Sequence, residues 1–178
     1  MISYQGLIRI IPRAITHNDA QALSAYFVRN QAHFSPWEPL RPKEYHSLTS
    51  WQNRLQLLFA EPINEYWFVL DNGLQIVGHC TLSNIIHGPF QACYMGYGID
   101  AAQQGKGLMP QLCQTALDFA FNELQLNRVM ANYMPTNLRS ANLLQRLGFE
   151  REGIARRYLK INGQWQDHIL TAKLTPID

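Results

Sequence analysis

Gln103-Gln104-Gly105-Lys106-Gly107-Leu108-Met109 decides how this chain folds. It follows an apolar run from about Phe90 to Asp100 that reads as a strand. It precedes Leu112, Cys113, Ala116, Leu117, Ala120, Phe121 and Leu124, which recur as on one face of a helix. Pro110 falls in the first helical turn, where its missing N–H costs least. Glycines at such a junction let backbone approach a ligand, and the helix start offers unpaired N–H groups to an anion. A pyrophosphate fits this loop; a plain strand-to-helix turn is the other reading of so short a pattern.

Two other phosphate loops fail on spacing. A Walker loop needs Gly where Asp100 stands and Ser or Thr where Gly107 stands. Gly96-Tyr97-Gly98-Ile99-Asp100-Ala101 matches G-x-G-x-x-A, but it lies inside the strand, short of the helix, and no repeated βαβ unit follows.

Upstream, Leu7, Ile8, Ile10 and Ile11 read as a first strand ending near Pro12. Thr16-x-x-Asp19 then opens a helix carrying Ala20, Leu23 and Phe27. A Pro-rich connector, Ser35 to Pro42, reads as a shaped loop, and a second helix carries Leu48, Trp51, Leu55 and Leu58. Tyr66–Leu70, Asp71-Asn72-Gly73 and Leu74–Leu82 form a hairpin signal. Downstream, Val129–Met134 reads as a strand. Pro135-Thr136-Asn137 opens a short helix whose Ala141, Leu144 and Leu147 face inward and which ends at Gly148. A last hairpin turns at Asn162-Gly163, between Tyr158–Ile161 and Trp165–Leu174. Without a repeat or linker, residues 1–178 read as one α/β domain.

Composition narrows the partners. The 15 Lys+Arg against 13 Asp+Glu leave a net charge of +2, too slight and unclustered to argue nucleic-acid binding, so a small ligand or a protein is expected. Tyr66–Leu70 is the longest apolar run, far below the about 20 residues of a membrane helix, and the amino terminus lacks a signal pattern. A cytoplasmic protein with no membrane contact is expected. Cys80, Cys93 and Cys113, an odd set without C-x-x-C spacing, read as buried apolar groups rather than disulfides or zinc ligands. With no G-x-S-x-G, no H-E-x-x-H and no metal-spaced carboxylates, neither a serine hydrolase nor a metal site is expected.

The loop resembles that of the GNAT N-acetyltransferases, Q/R-x-x-G-x-G/A, with Gln104 and Gly107 in place and Met109 departing from the final Gly/Ala. A narrower resemblance runs through His33-Phe34-x-Pro36-Trp37-Glu38-Pro39, Ala92-Cys93-Tyr94-Met95-Gly96-Tyr97, Met130-Ala131-Asn132-Tyr133-Met134-Pro135, Arg139-Ser140, Arg146-Leu147-Gly148-Phe149-Glu150 and Asp167-His168. These segments are similar to the ribosomal-protein alanine N-acetyltransferases of the RimJ group.

The resemblance implies a GNAT fold: a mixed, mostly antiparallel sheet with helices on both faces and a splayed central strand pair. It implies acetyl transfer from acetyl-CoA to a protein amino terminus, the alanine of a small-subunit ribosomal protein in that group. Any nucleic-acid contact is expected only through the ribosome, and a monomer or weak dimer is expected. It further implies a cofactor site at Gly98, Ile99 and Asp100, acting through backbone, at Gln104, Gly105, Lys106, Gly107, Leu108 and Met109, and at Asn137 and Ser140. Asn137 also reads as a helix N-cap. Many relatives place a Tyr acid where this chain has Leu144, so Ser140 is the substitute candidate for the thiol sulfur. Lys106, Arg139 and Arg146 are candidate phosphate partners, Lys106 foremost.

The acceptor chemistry sets a modest demand on a base. An α-amine of pKa about 7.7–8.0 costs about 1 kcal/mol to deprotonate at pH 7, against about 4.6 kcal/mol for a lysine. Glu38 is the candidate base or ammonium anchor, or else a solvated loop glutamate; Tyr94, Tyr133 and His168 are the weaker alternatives. Two other functions remain open: an acetyl-CoA sensor or ribosome-assembly factor without transfer, and an acetyltransferase for small amines or aminoglycosides.

Overall fold

A computed structural model describes residues 10–60 and 62–175. Seven strands form one open sheet in the order β1-β2-β3-β4-β5-β7-β6. They are β1 Ile11–Ala14, β2 Glu65–Asp71, β3 Ile76–Ile86, β4 Ala92–Ile99, β5 Arg128–Met130, β6 Glu150–Ile161 and β7 Gln164–Leu174. All neighbours are antiparallel except β4 and β5.

Alternation along β2 assigns the two faces. Phe68 and Leu70 join a core with α4 (Leu108–Asp118) and α5 (Leu138–Arg146), while Trp67 and Val69 join a second core with α1 (Ala20–Arg29) and α3 (Leu48–Leu58). Each large apolar side chain fully buried there, such as Leu23, Trp51, Leu55 or Leu112, contributes about 1.5–3 kcal/mol. Cys80, Cys93 and Cys113 are all buried in the α4 core. The capping box at Thr16 and Asp19 forms, and Asp19 also receives two hydrogen bonds from Arg13.

Several boundaries differ from the sequence reading, each for a local reason. Leu7 and Ile8 lie outside the described residues, and β1 runs through Pro12 instead of ending there. Because Ile15 N–H donates to Trp67 and Pro12 faces Leu70, the proline nitrogen points away from β2, as an edge strand allows. The connector is not all loop. After the one-turn helix α2 (Gln31–Phe34), Pro36 sits at the start of a 3₁₀ turn over Ser35–Trp37, and a second such turn spans Lys43–His46. In α3, Leu48 faces solvent.

The β2–β3 loop is longer than the two-residue turn expected from Asn72-Gly73. The Asn72 side chain accepts from Leu74 and Gln75, and Leu74 is exposed outside the strand. Helix α4 passes into a π-helical turn, Phe119–Glu123. The final hairpin turns at Asn162-Gly163 as read, but β6 starts at Glu150 and bulges at Arg157, whose N–H is held by Asp167.

The most consequential difference is β5. Read as Val129–Met134, it pairs with β4 over only three residues, Ala92–Tyr94 against Arg128–Met130. Beyond Met130 the chain stays bonded to β7 through Ala131 and Tyr133 and leaves β4 behind. From Met95 to Ile99, β4 therefore has a partner on one side only, and the sheet opens there.

Candidate active site

The opening exposes main-chain groups selected by strand parity. The Asp100 N–H donates to the Val77 carbonyl at 2.8 Å, so Asp100, and with it Gly98 opposite His79, directs its amide toward β3. Tyr97 and Ile99 direct theirs into the gap. Gly98 has a steric role, since a Cβ there would lie 2.6 Å from the His79 ring and 3.2 Å from Phe34. Asp100 ties the end of β4 to α1: Arg29 Nε donates to it at 2.8 Å, and Asn30 and the Ala102 N–H add further bonds. Burial alone raises this carboxyl, but those hydrogen bonds outweigh it and hold it below the usual range.

The glycine loop follows directly. Gly105 and Gly107 have φ of +74° and +70°, in the left-handed region, and open space lies where each Cβ would stand. Gly107 is the N-cap of α4, and no side chain caps the helix, so its first amides face outward. Leu108 and Met109 are half-buried and pack on the core below. The Gln104 amide is bonded to His33 of α2 at 2.9 Å and receives a bond from Arg139 of α5. Lys106 is exposed and donates to Gln103. Arg146 is exposed too, on the last turn of α5.

At the other lip of the gap, Asn137 caps α5 by accepting from the Ser140 N–H at 3.1 Å. Ser140 Oγ lies 2.5 Å from the Tyr97 hydroxyl. Burial pushes the Tyr97 phenol well up, against the smaller pull of Ser140, so it keeps its proton at neutral pH.

A cleft of about 370 Å³ runs from this pair to the connector, lined by Tyr97, Asn137 and Ser140 at one end and by Glu38, Arg41 and Arg54 at the other. Tyr133 and His168 line it as well. Tyr94 does not; its side chain lies against Tyr158 instead. The cleft thus brings Glu38, Asn137 and Ser140 together, while Gly98 to Asp100 and the glycine loop stand outside its lining.

Glu38 is held in place by its own backbone, whose carbonyl accepts from the Asn162 N–H at 2.9 Å. Burial raises its carboxyl, and Arg41 and Arg54 offset part of that rise. Beneath it, burial aided by Arg54 and Arg41 lowers His46 to about 4. Burial with His46 and Arg54 lowers His79, which shares a hydrogen bond with Tyr26, to about 3. Both imidazoles are neutral at pH 7.

The sequence reading missed Tyr97, His79, Arg41 and Arg54. Tyr97 carried a signal, since it alternates with glycines on the strand that enters the phosphate-loop candidate. The other three are brought together only by tertiary packing. Among the described residues no helix is long and apolar enough to cross a membrane, and no cluster of ligands for a metal ion occurs.

A sheet parted beside an anion-ready helix start, with a cleft leading out through the parting, defines a GNAT-type acyltransferase framework. The profile of the Acetyltransferase (GNAT) domain family matches residues 9–150, and the chain belongs to that family. It is 41% identical over 172 residues to the [Ribosomal protein uS5]-alanine N-acetyltransferase of Escherichia coli (strain K12), covering 94% of this chain and 89% of that one. Its fold is similar to the ribosomal-protein-S5-alanine acetyltransferase of Vibrio fischeri, with TM-score 0.88 and 39% identity over 98% of this chain and 97% of that one. It is also similar to Mycobacterium smegmatis RimJ in complex with CoA-disulfide, with TM-score 0.85 and 33% identity over 92% and 80% of the two chains.

Proposed function

We propose that this protein transfers the acetyl group of acetyl-CoA to the α-amine of a protein amino terminus, the alanine of a small-subunit ribosomal protein. The observation that carries the reading is the continuous cleft from the Tyr97–Ser140 pair, at the parted strands, to Glu38 at the surface. The names of the uS5-alanine acetyltransferases in E. coli and V. fischeri support the acceptor.

The residues present fit acetyl-CoA. The left-handed glycines at 105 and 107 and the uncapped start of α4 suit its diphosphate, with Gln104, Lys106, Leu108 and Met109 completing the loop. The gap beside β4 suits its amide-bearing arm, with Asn137 on the far lip. When bound, acetyl-CoA supplies the acetyl group as an activated thioester.

The chain's own groups then divide the work. The Ile99 N–H, turned away from β3, is available to a carbonyl oxygen as negative charge develops on it. Tyr97 keeps its phenol proton and shares a hydrogen bond with Ser140 in which either hydroxyl can donate; with Tyr97 as the donor, the Ser140 O–H turns outward toward a departing thiolate. Tyr97 is thereby a positioning residue and Ser140 a catalytic one. Glu38, whose carboxyl is raised by burial, holds the acceptor ammonium or takes its proton; an α-amine needs no stronger base. Gly98 leaves room for His79, and Asp100 braces the strand end.

Product mass spectrometry on wild-type protein with Ala-, Ser- and Met-starting peptides, Lys peptides, polyamines and aminoglycosides tests the reading. Acetylation of the Ala-starting peptide at its α-amine is expected. Transfer only to small amines, or tight acetyl-CoA binding with no transfer to any acceptor, overturns it.

A further inference from the structure

We propose that Arg54, caged by Tyr45, Trp51 and Trp67, forms a subsite for a carboxylate within the first few residues of the acceptor polypeptide. The inference rests on the acceptor being a polypeptide amino terminus. The Arg54 guanidinium carbon lies 3.9 Å from the centre of the Trp51 ring, 4.7 Å from Tyr45 and 5.8 Å from Trp67. Aromatic faces hold a guanidinium by its flat sides and leave the N–H edge for hydrogen bonding. At that edge Nη1 is buried without a hydrogen-bond partner, and among the described residues Arg54 forms no ion pair. A buried charged donor left unpaired is costly, and such groups in native proteins call for a partner that arrives later.

Two guanidinium groups share this corner of the cleft. Arg41 lies 4.6 Å over the other contact ring, Tyr45, so one phenol bears two guanidinium groups. Burial lowers the affinity of Arg54 for its proton and Arg41 adds to that, while Tyr45, Glu65 and Glu38 act the other way. Glu65, the acid nearest in sequence to Trp67, spends Oε1 on the Trp67 indole N–H at 2.6 Å, and Glu38 forms no ion pair here. His46, stacked on Phe27 beneath, is neutral. A carboxylate from the acceptor has a geometry that matches the guanidinium edge and would give the buried Nη1 the partner it lacks.

Arg54 also lies where a polypeptide, unlike a small amine, has to continue. It and Glu65 line the main cleft and also a second recess of about 350 Å³, which extends along Leu57, Leu58 and the Ser83–Asn84 end of β3. A chain whose amine lies in the cleft between Ser140 and Glu38 has this recess, beside Arg54, as a way out.

The test uses Ala-starting peptides with one Glu, or one Gln, at position 2, 3, 4 or 5, assayed with wild type, Arg54→Gln and Arg54→Lys. At one position wild type is expected to show a KM about tenfold lower for Glu than for Gln. Arg54→Gln is expected to shrink that ratio below about twofold, and Arg54→Lys to give an intermediate ratio, charge without the planar fork. Should Arg54→Gln fail to fold, the wild-type Glu-to-Gln ratio and its loss at high salt still decide. Equal KM for Glu and Gln at every position, with turnover intact, overturns the subsite alone. A wild type that acetylates polyamines but no Ala-starting peptide overturns the acceptor assignment and the subsite together.

Discussion

The two ends of the cleft are built from different materials. At the proposed cofactor end the groups on offer are main-chain amides: Ile99 beside the parted strands, and the start of α4 after Gly105 and Gly107. At the proposed acceptor end they are side chains, Glu38 from the connector and Arg54 from α3, in a cleft also lined by His79, Trp67 and Phe27. A main-chain site depends on conformation, so it tolerates most side-chain changes and fails when the backbone cannot take its angles. A side-chain site fails one residue at a time and by graded amounts. The first suits a ligand that never changes; the second suits one whose sequence must be told from others.

Replacing Gly107 is the hardest blow to this contrast. A β-branched residue at φ +70° is strained, so Gly107→Val is expected to raise the acetyl-CoA KM about 100-fold while peptide KM moves little, as initial-rate kinetics on both substrates will read. A comparable rise in both constants breaks the division. Where the two ends meet, Ser140→Ala is expected to lower kcat about 30-fold and Tyr97→Phe about 10-fold, with acetyl-CoA KM held within about twofold in Tyr97→Phe. Equal losses for the two variants would mean that Tyr97 does more than position Ser140. At the acceptor end, Glu38→Gln is expected to lower kcat/KM for an Ala-starting peptide about fivefold, more at pH 6 than at pH 8, where more of the amine is already neutral. Lys106→Ala, on an exposed side chain, is expected to shift acetyl-CoA KM less than about threefold, an effect that vanishes at 0.5 M salt.

The acceptor end of the cleft also makes stability depend on pH. His46 and His79 have folded pKa values of about 4 and about 3, below the ordinary 6.5, so the unfolded chain binds more protons as pH falls. Their contribution to stability is complete above about pH 6.5 and is lost on acidification toward pH 4. Thermal unfolding should therefore show Tm falling steadily from pH 7 to pH 5, and His79→Gln should flatten that slope. A Tm constant over this range would mean that water reaches the two rings.

The same contrast explains what the sequence disclosed. Gly105, Gly107, the Asn137 cap and the strand-helix order around them are local: the backbone angles a glycine permits and the hydrogen bond an Asn side chain makes are written within a few residues. The parting of β4 from β5 was only half legible. Val129 to Met134 has an even apolar texture, and nothing in it marks Met130 as the point where β7 keeps the chain and β4 loses it. Arg54 was silent because an arginine on an amphipathic helix looks like any solvated charge. Only Tyr45, Trp51 and Trp67 closing around it take away its water and its partners. His79 reads as one more residue of a strand until Gly98 and Tyr26 are seen against it.

The bond from Asn162 to the Glu38 carbonyl joins the connector to a hairpin far downstream in the chain. Contacts so far apart in the chain form late, because the loop between them has to close first. The glycine loop is tied across shorter stretches of chain, through Gln104 to His33 and to Arg139. A refolding chain should therefore regain coenzyme uptake before it regains peptide selectivity, passing through a stage in which it is charged with donor but indifferent to acceptor.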